Sequence, residues 1–344
     1  MQTKDFYIAA MSLNPDGGIY RFGLTADGVP EQREFTPLLN ASYLAFSSDR
    51  RFFYATCAVA EGTGGCAAFK LEPSGSLVFL NQMPADGPAS CHLTVAPSGK
   101  FLYCANYHSS SLAEFALADD GSIAERLKII RHTGKGPHPE RQTVPHPHFT
   151  LFTPDGRYLC VVDLGLDAIM LYPFDPARGL DTTPYSVFKV TPPGSGPRHL
   201  VFNRAGDRAY LLNELGNSVV ALAYSDGRFD SLQSVTSVPP HLQYPTKAAA
   251  IRLAADEKYL LVSNRGFDSI ACYRVAEGAL TLCDLTLSGG SSPRDINFLP
   301  GKEKFAAANE FSGNVVFFDY NRHSGKLTPN GQCVKLPRPL AICW

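Results

Sequence analysis

The chain has 344 residues, of which 44% are hydrophobic, and its formal net charge is -1. The apolar content is sufficient for a folded core, and the balanced charge gives no support for a nucleic-acid partner or a membrane-surface partner. No apolar run reaches the roughly 20 residues that a helix needs to cross a bilayer, so no membrane partner is predicted.

The first residues and the cysteines bear on the location of the protein. The N-terminal stretch MQTKDFYIAAMSLNPDGG lacks the basic segment and the long apolar core of a secretory signal. Nine cysteines are present, and no two of them form a C-x-x-C pair, so neither a zinc knuckle nor a thioredoxin-type redox motif is indicated. Several lie within apolar strand patterns, where reduced cysteine acts as a small hydrophobic residue. We therefore expect a cytoplasmic, reducing location.

A strand–turn–strand unit recurs along the chain. In order, the units are YLAFSSDRRFFYATC, LTVAPSGKFLYCAN, FTLFTPDGRYLCVVD, LVFNRAGDRAYLLNE, AIRLAADEKYLLVSN and INFLPGKEKFAAANE. Each turn contains a basic residue, and these residues are spaced at intervals of 49, 57, 51, 50 and 46: Arg51, Lys100, Arg157, Arg208, Lys258 and Lys304. A third short strand such as SLAEFAL or NVVFFDY follows most units, and a weaker fourth strand follows a turn rich in Gly and Asp.

Four short strands in every 40–50 residues, roughly, predict the blades of a β-propeller. The chain ends supply one more unit, because DFYIAAMS and GGIYRFGL match strands two and three of a blade and LPRPLAICW matches its innermost strand. Closing the last blade with strands from both termini removes exposed edges. No segment has the sustained i, i+3, i+4 spacing of a helix. We predict an all-β fold, a seven-bladed β-propeller that forms a single domain over residues 1–344.

Equivalent positions of the repeats form rings of side chains around the channel of a propeller. The first strand begins nine or ten residues before each basic residue, and the second strand ends six or seven residues after it. Adjacent antiparallel strands bring these two ends to the same face of the ring, where polar groups gathered in a concavity are a candidate site. The residues that we expect at this mouth of the channel are His148, Arg198, His199, Glu214, Asn264, Arg265, Arg294 and Arg338.

Counting from the basic residues groups His148 with His199, Arg198 with Arg294 and Arg338, and Glu214 with Asn264 and Glu310. Each candidate also has a structural alternative. An Asn before a turn, such as Asn264, commonly bonds its own backbone. Glu214 and Arg198 could form an ion pair without a catalytic role. His199 could be a buried histidine bonded to a backbone carbonyl, and Arg265 a solvated loop residue.

The longest interval between repeats contains an insertion, RHTGKGPHPERQTVPHPH, that leads directly into His148. Long loops in compact domains are usually functional, so Arg141 and His146 are added as candidate substrate-binding residues, although a solvated loop is the alternative. His146 and His148 could also bind a metal together with Asp163 or Glu214. An H-x-H pair is a weak metal signal, and we predict neither a metal nor a cofactor.

Six motifs carry a family resemblance that spans nearly the whole chain: GPHPERQTVPHPHF, TPDGRYLCVVDLG, GSGPRHLVF, LNELGNSV, SNRGFDSIACY and SPRDINF. Together they resemble the seven-bladed propeller lactonase family, which contains bacterial 6-phosphogluconolactonases of the propeller type and the fungal 3-carboxy-cis,cis-muconate lactonizing enzyme. The resemblance implies a catalytic set at the channel mouth, formed by His148 of PHPHF, Arg198 of GPRH, Glu214 of NEL and Arg265 of SNRG.

Hydrolysis of a phosphosugar δ-lactone requires an activated water, stabilisation of the tetrahedral oxyanion and a cationic group for the phosphate. His148 or Glu214 would be the general base. Of Arg198 and Arg265, one would stabilise the oxyanion and the other would hold the anionic tail. We therefore predict a lactonase that converts 6-phosphoglucono-δ-lactone to 6-phosphogluconate, with a small anionic lactone or carboxylate as its substrate.

Two other functions stay open. A carboxymuconate lactonizing enzyme, a cycloisomerase, would use the same arginines to clamp carboxylates, and His148 or Glu214 would handle a proton at carbon. A non-enzymatic propeller scaffold would have no need of these residues. Its channel mouth would be plugged by apolar side chains, whereas that of an enzyme for anionic substrates would be basic and open.

Overall fold

A computed structural model describes residues 5–242, 245–301 and 303–344. Residues 1–4 of the stretch considered above for a secretory signal therefore lie outside the described residues. Within the described ranges the strands form seven antiparallel sheets, which are the blades of a propeller. The seven-bladed prediction is confirmed. None of the described residues belongs to a helix that is long and apolar enough to cross a membrane.

The blades are numbered along the chain. Blade 1 contains β1 (Asp5–Ala10), β2 (Gly18–Leu24), β3 (Pro30–Pro37) and β29 (Pro339–Cys343). Blade 2 contains β4 (Leu44–Phe46), β5 (Phe52–Ala60), β6 (Thr63–Leu71) and β7 (Leu77–Pro84). Blade 3 contains β8 (His92–Val95), β9 (Phe101–Asn106), β10 (Ser111–Leu117) and β11 (Ile123–Arg131). Blade 4 contains β12 (Pro147–Phe152), β13 (Tyr158–Asp163), β14 (Ala168–Asp175), β15 (Gly179–Leu180) and β16 (Ser186–Lys189).

The remaining blades follow the same plan. Blade 5 contains β17 (Pro197–Phe202), β18 (Arg208–Asn213), β19 (Ser218–Ser225) and β20 (Arg228–Thr236). Blade 6 contains β21 (Lys247–Leu253), β22 (Tyr259–Arg265), β23 (Ser269–Ala276) and β24 (Ala279–Leu287). Blade 7 contains β25 (Pro293–Phe298), β26 (Lys304–Asn309), β27 (Asn314–Tyr320) and β28 (Leu327–Lys335).

Both chain ends build blade 1, as the sequence predicts. Its strand order is β29-β1-β2-β3, so the C-terminal strand is innermost and pairs antiparallel with β1, where Tyr7 lies opposite Cys343. The innermost strands of neighbouring blades contact one another around the channel, and β29 contacts β4 to complete the ring. This pairing joins the two chain ends within one sheet and so closes the ring of blades.

The apolar core lies between the blades. In the described part of the chain, each pair of adjacent blades encloses one cluster of buried apolar side chains. Strand β18 shows how period-two alternation produces this arrangement. Ala209 and Leu211 pack towards blade 4, whereas Tyr210 and Leu212 pack towards blade 6. The channel is therefore free to carry polar side chains at little cost to the core.

A β-bulge at the start of the innermost strand directs side chains to the mouth of the channel. In blade 4 the register shifts between Pro147 and Phe149, which leaves His148 as the extra residue. The same shift leaves Arg198 as the extra residue in blade 5 and Arg294 in blade 7. Bulges re-aim side chains in this way beside many active sites.

These registers correct the alignment made from the basic residues. His148 is equivalent to Arg198 and Arg294, and not to His199. The basic residue is not a constant reference point, because Arg157 precedes β13 whereas Arg208 is the first residue of β18. The groups inferred from sequence are therefore displaced by one residue between blade 4 and blade 5.

The end of the second strand needs the same correction. Asn264 pairs with Ala248 at the strand end, as Asn213 pairs with Pro197. Asn264 is therefore equivalent to Asn213, whose side chain donates to the Ser218 hydroxyl (3.0 Å) at the next turn. Glu214 lies one residue beyond this strand-end position.

Candidate active site

A cavity of about 440 Å³ opens at the channel mouth where the bulged residues lie. Its basic lining consists of Arg141, Arg198, Arg265, Arg294 and Arg338, and its carboxylates are Glu214, Asp295 and Glu310. Among the described residues that line it, arginines thus outnumber carboxylates, so the cavity attracts anions. The mouth is basic and open, which matches the expectation for an enzyme and not the one for a scaffold.

Glu214 is the centre of a buried cluster of charges. Its carboxylate accepts from Arg198 Nε (3.0 Å) and Arg141 Nη2 (2.7 Å), and it forms an ion pair with Arg265 Nη2 (2.7 Å). Burial alone would raise the pKa of Glu214, but the charges of Arg265 and Arg198 outweigh it and hold the pKa well below the ordinary value. Glu214 therefore stays ionised at neutral pH and is a weak proton acceptor.

Arg198 is held from several sides. Besides Glu214, its guanidinium donates to the carbonyl oxygen of Ala249 and to Nε2 of His199, the latter at 2.9 Å. Burial, followed by the charges of Arg265 and Arg294, lowers the pKa of Arg198 to about 9, so the group stays protonated at neutral pH. Because a guanidinium can only donate, Nε2 of His199 must accept and the ring proton lies on Nδ1.

Arg265 has a donor that no described residue accepts. One of its terminal nitrogens donates to the carbonyl oxygen of Ala248 (3.1 Å) and contacts Glu214. Its Nε is buried and has no hydrogen-bond partner among the described residues. A buried unpaired donor in a polar cavity marks a place where a ligand oxygen can bind.

His148 faces the same cavity. Its ring lies against Tyr107 and His199, with centroid distances of 5.8 and 5.5 Å, and Nδ1 has no hydrogen-bond partner within the described ranges. Burial lowers the pKa of His148 well below the ordinary value, and the charge of Arg198 adds to this effect while Glu214 opposes it. The imidazole is therefore neutral at pH 7 and able to accept a proton.

The insertion before β12 carries Arg141 into the cavity. Both of its ends bind Asp163, whose carboxylate accepts from the His132 ring (2.6 Å) and from the backbone N–H of His146 (2.8 Å). The buried side chain of Gln142 secures the middle by donating to Leu164 O and to Asp167 Oδ1, both at 2.8 Å. The loop is thus an ordered part of the site, as its position in the sequence predicted.

Residues 5–344 match the family described as lactonase, 7-bladed beta-propeller. The chain belongs to this family. It is 34% identical to the 6-phosphogluconolactonase of Bacillus subtilis, over 98% of this chain and 97% of that one. The structure of a periplasmic gluconolactonase from Pseudomonas aeruginosa has a TM-score of 0.91 at 29% identity, with 98% of both chains covered. A Bacteroides fragilis structure, provisionally named a 6-phosphogluconolactonase, has a TM-score of 0.91 at 33% identity, covering 98% of this chain and 96% of that one.

Most residues predicted from the sequence of this lactonase line the cavity. They are His148, Arg198, Glu214, Arg265, His199, Arg294, Arg338 and Arg141. Asn264 is fully buried away from it, where its amide accepts from the Ser237 hydroxyl (2.6 Å) and donates to the Ser237 carbonyl (2.8 Å). His146 donates to the carbonyl oxygen of Tyr107 (2.9 Å) and stacks on its ring at 4.1 Å. These two residues support the framework and do not line the cavity.

The histidine pair does not form the metal site considered from the sequence. His146 is bonded to Tyr107, and Asp163 is bonded to His132. Across the residues that the structure describes, no group of three or more His, Cys, Asp or Glu side chains is placed to hold a metal ion.

Two residues of the cavity, Tyr107 and Glu310, are absent from the site predicted from the sequence. The Tyr107 hydroxyl accepts from Arg141 (3.1 Å) while its ring packs on His148, so it links the loop to the histidine. Glu310 contacts Arg294 and Arg338. Both follow the end of a second strand directly, as Glu214 does. Counting from the basic residues had already grouped Glu310 with Glu214, whereas only the correct register places Tyr107 at the same position.

Proposed function

We propose that this propeller hydrolyses 6-phosphoglucono-δ-lactone to 6-phosphogluconate. The observation that carries the proposal is a neutral, buried His148 beside an arginine-rich cavity. The name of the Bacillus subtilis relative supports the reaction, because that relative is similar to this chain over nearly its whole length.

In the proposed reaction His148 is the general base. It removes a proton from a water molecule, whose oxygen attacks the lactone carbonyl carbon to form a tetrahedral oxyanion. The bond from this carbon to the ring oxygen then breaks, and the ring oxygen takes the proton back from His148. The products are a hydroxyl group and the open carboxylic acid, which ionises to the carboxylate by releasing the second proton of the water molecule to solvent. No electron donor or acceptor is required.

Arg265 and Arg198 are proposed to have different roles. Arg265 has an unpaired Nε and is proposed to stabilise the oxyanion, a contribution worth roughly 10²–10³ in kcat for one donor in comparable sites. Arg198 is buried, with its donors engaged by Glu214, His199 and Ala249, and is proposed to shape the cavity. Glu214 positions these arginines and is not the base, because its low pKa makes it a poor proton acceptor.

The test measures hydrolysis of freshly generated 6-phosphogluconolactone against its spontaneous decay. The wild type should accelerate the decay, His148→Ala should reduce kcat by roughly 10²–10⁴, and EDTA should have no effect. A wild-type rate equal to the spontaneous rate refutes the proposal. Turnover of 3-carboxy-cis,cis-muconate in place of the phosphosugar lactone would support the cycloisomerase alternative.

We also propose that residues 1–344 act as one domain in a reducing, cytoplasmic compartment. The shared blade of the two termini supports a single domain. All nine cysteines lie within the described ranges as free thiols, and most of them are buried or half-buried, which supports a reducing location.

A further inference from the structure

A second carboxylate–arginine cluster lies in the same cavity, on blade 7 and the adjoining start of β29. Glu310 contacts Arg294 Nη1 (3.6 Å) and Arg338 Nη2 (2.5 Å). The carboxylate is buried, but the side chains of Arg294 and Arg338 are 29% and 52% exposed. These guanidinium groups therefore have donors that face the cavity and its opening.

This cluster repeats the one around Glu214. Arg294 occupies the same bulge position as Arg198, and Glu310 follows β26 as Glu214 follows β18. In each cluster one arginine comes from the same blade and another from the next blade. The copies differ in one respect. The Glu214 cluster has the additional Arg141 and is nearly closed, whereas the Glu310 cluster is open.

The backbone around Arg338 is conformationally restricted. Arg338 lies between Pro337 and Pro339 and has a φ of 38°, which is in the left-handed region that non-glycine residues rarely adopt. Its carbonyl oxygen accepts from the backbone N–H of Met11 (3.1 Å). The two flanking prolines and this bond restrict the directions in which the Arg338 side chain can leave the main chain.

The two ends of the cavity have different chemical properties. His148 lies on blade 4 and Arg294 on blade 7, three blades apart and so separated by about 150° around a seven-bladed ring. Blade 6 contributes only alanine at its bulge, Ala249, which leaves space between the clusters. A substrate that reacts at His148 can therefore extend across the channel mouth to Arg294 and Arg338.

We propose that Arg294 and Arg338 bind the phosphate group of the substrate and that Glu310 positions them. The inference rests on the proposed function and deepens it, since it makes the enzyme selective for phosphorylated over unphosphorylated sugar lactones. Two guanidinium groups against one carboxylate leave a net positive charge, and their fork-shaped donors suit a tetrahedral dianion. Burial, followed by the charge of Arg265, lowers the pKa of Arg294, and an anion bound between the two arginines would relieve their repulsion.

The test compares kcat/KM for 6-phosphogluconolactone and for glucono-δ-lactone, which lacks the phosphate. Arg338→Met should lower the value for the phosphorylated lactone by roughly 10- to 100-fold, mainly through KM, because one charge-assisted contact is lost. It should change the value for glucono-δ-lactone by less than about threefold. Arg178→Met is the matched control, since its side chain is 85% exposed outside the cavity, and it should leave both values unchanged.

Two further measurements distinguish a loss of phosphate binding from misfolding of the variants. Inorganic phosphate should inhibit the wild type competitively, with an inhibition constant roughly tenfold lower than for Arg338→Met or Arg294→Met. Arg338→Lys should recover part of the lost selectivity. The inference is overturned if Arg338→Met and Arg294→Met lower kcat/KM equally for both lactones or for neither. A wild type that accelerates neither lactone overturns the proposed function itself, which is a distinguishable outcome.

Discussion

Glu214→Gln provides the sharpest test of the buried charge cluster. The substitution keeps the shape of the side chain but leaves Arg141, Arg198 and Arg265 without their shared anion. Removing one partner of a buried ion pair costs roughly 3–5 kcal/mol of the free energy of unfolding. An unfolding entropy of about 2.1 cal/mol/K per residue corresponds to about 0.7 kcal/mol/K for 344 residues. We therefore expect Tm to fall by about 4–7 °C.

Thermal unfolding followed by circular dichroism measures this change, and two further variants sharpen it. Glu72→Gln breaks an exposed contact with Lys70 (2.9 Å) and should lower Tm by less than about 1.5 °C. Glu214→Gln combined with Arg141→Met removes one of the excess positive charges and should recover part of the loss. A Tm for Glu214→Gln within 2 °C of the wild type, roughly the range expected for an exposed pair, would refute the view that Glu214 holds these arginines together. A double variant no more stable than the single one would refute the electrostatic cause.

Three other expectations concern protons and the loop. As the pH is lowered, kcat/KM should fall with a midpoint below pH 6.5, because burial and the charge of Arg198 lower the pKa of His148. A midpoint at or above pH 6.5 would contradict the role of His148 as base. The free energy of unfolding should fall between pH 6.5 and pH 5.5 by about 1 kcal/mol for each of His92, His148 and His199, since the unfolded state binds protons that the buried rings do not. Urea titrations at both pH values test this, and equal stabilities would disprove it. Gln142→Leu should raise KM by roughly 3- to 10-fold and expose residues 132–146 to proteolysis, because buried hydrogen bonds that order the loop are lost. An intact loop and an unchanged KM would show that Gln142 does not position the loop.

The repeat made the fold predictable, and it also explains the error in the register. Short strands at regular intervals identify blades whatever their exact bounds, so a displacement of one residue does not affect the fold. The same displacement exchanges one face of a strand for the other. This displacement grouped Asn264 with Glu214. Asn264 instead binds Ser237, which follows blade 5, and Ser269 of its own blade, and only the residue after it, Arg265, lines the cavity. Turn length sets the position of the basic residues, and only backbone pairing reveals the true register.

The loop residues show another limit of sequence reasoning. Arg141 was selected because its loop precedes His148, but its contacts with Glu214 and Tyr107 join residues 73 and 34 positions apart. No repeat relates an insertion to the blades, so these contacts depend on how the loop folds back. The anchors of that fold, His132 and Asp163, form a fully buried pair that composition and spacing do not indicate.

The bulge position of the innermost strands carries different side chains in different blades of the ring. The bulge at the start of the innermost strand presents His148 on blade 4, Arg198 on blade 5 and Arg294 on blade 7, whereas on blade 1 it presents Leu340. The main chain is nearly the same in each case, and the chemistry differs only through the side chain. Because the apolar clusters lie between the blades, substitutions at these bulges alter the cavity without disturbing the core. The proposed reacting end and the proposed anion-binding end of the site lie on different blades, and each can therefore change without the other.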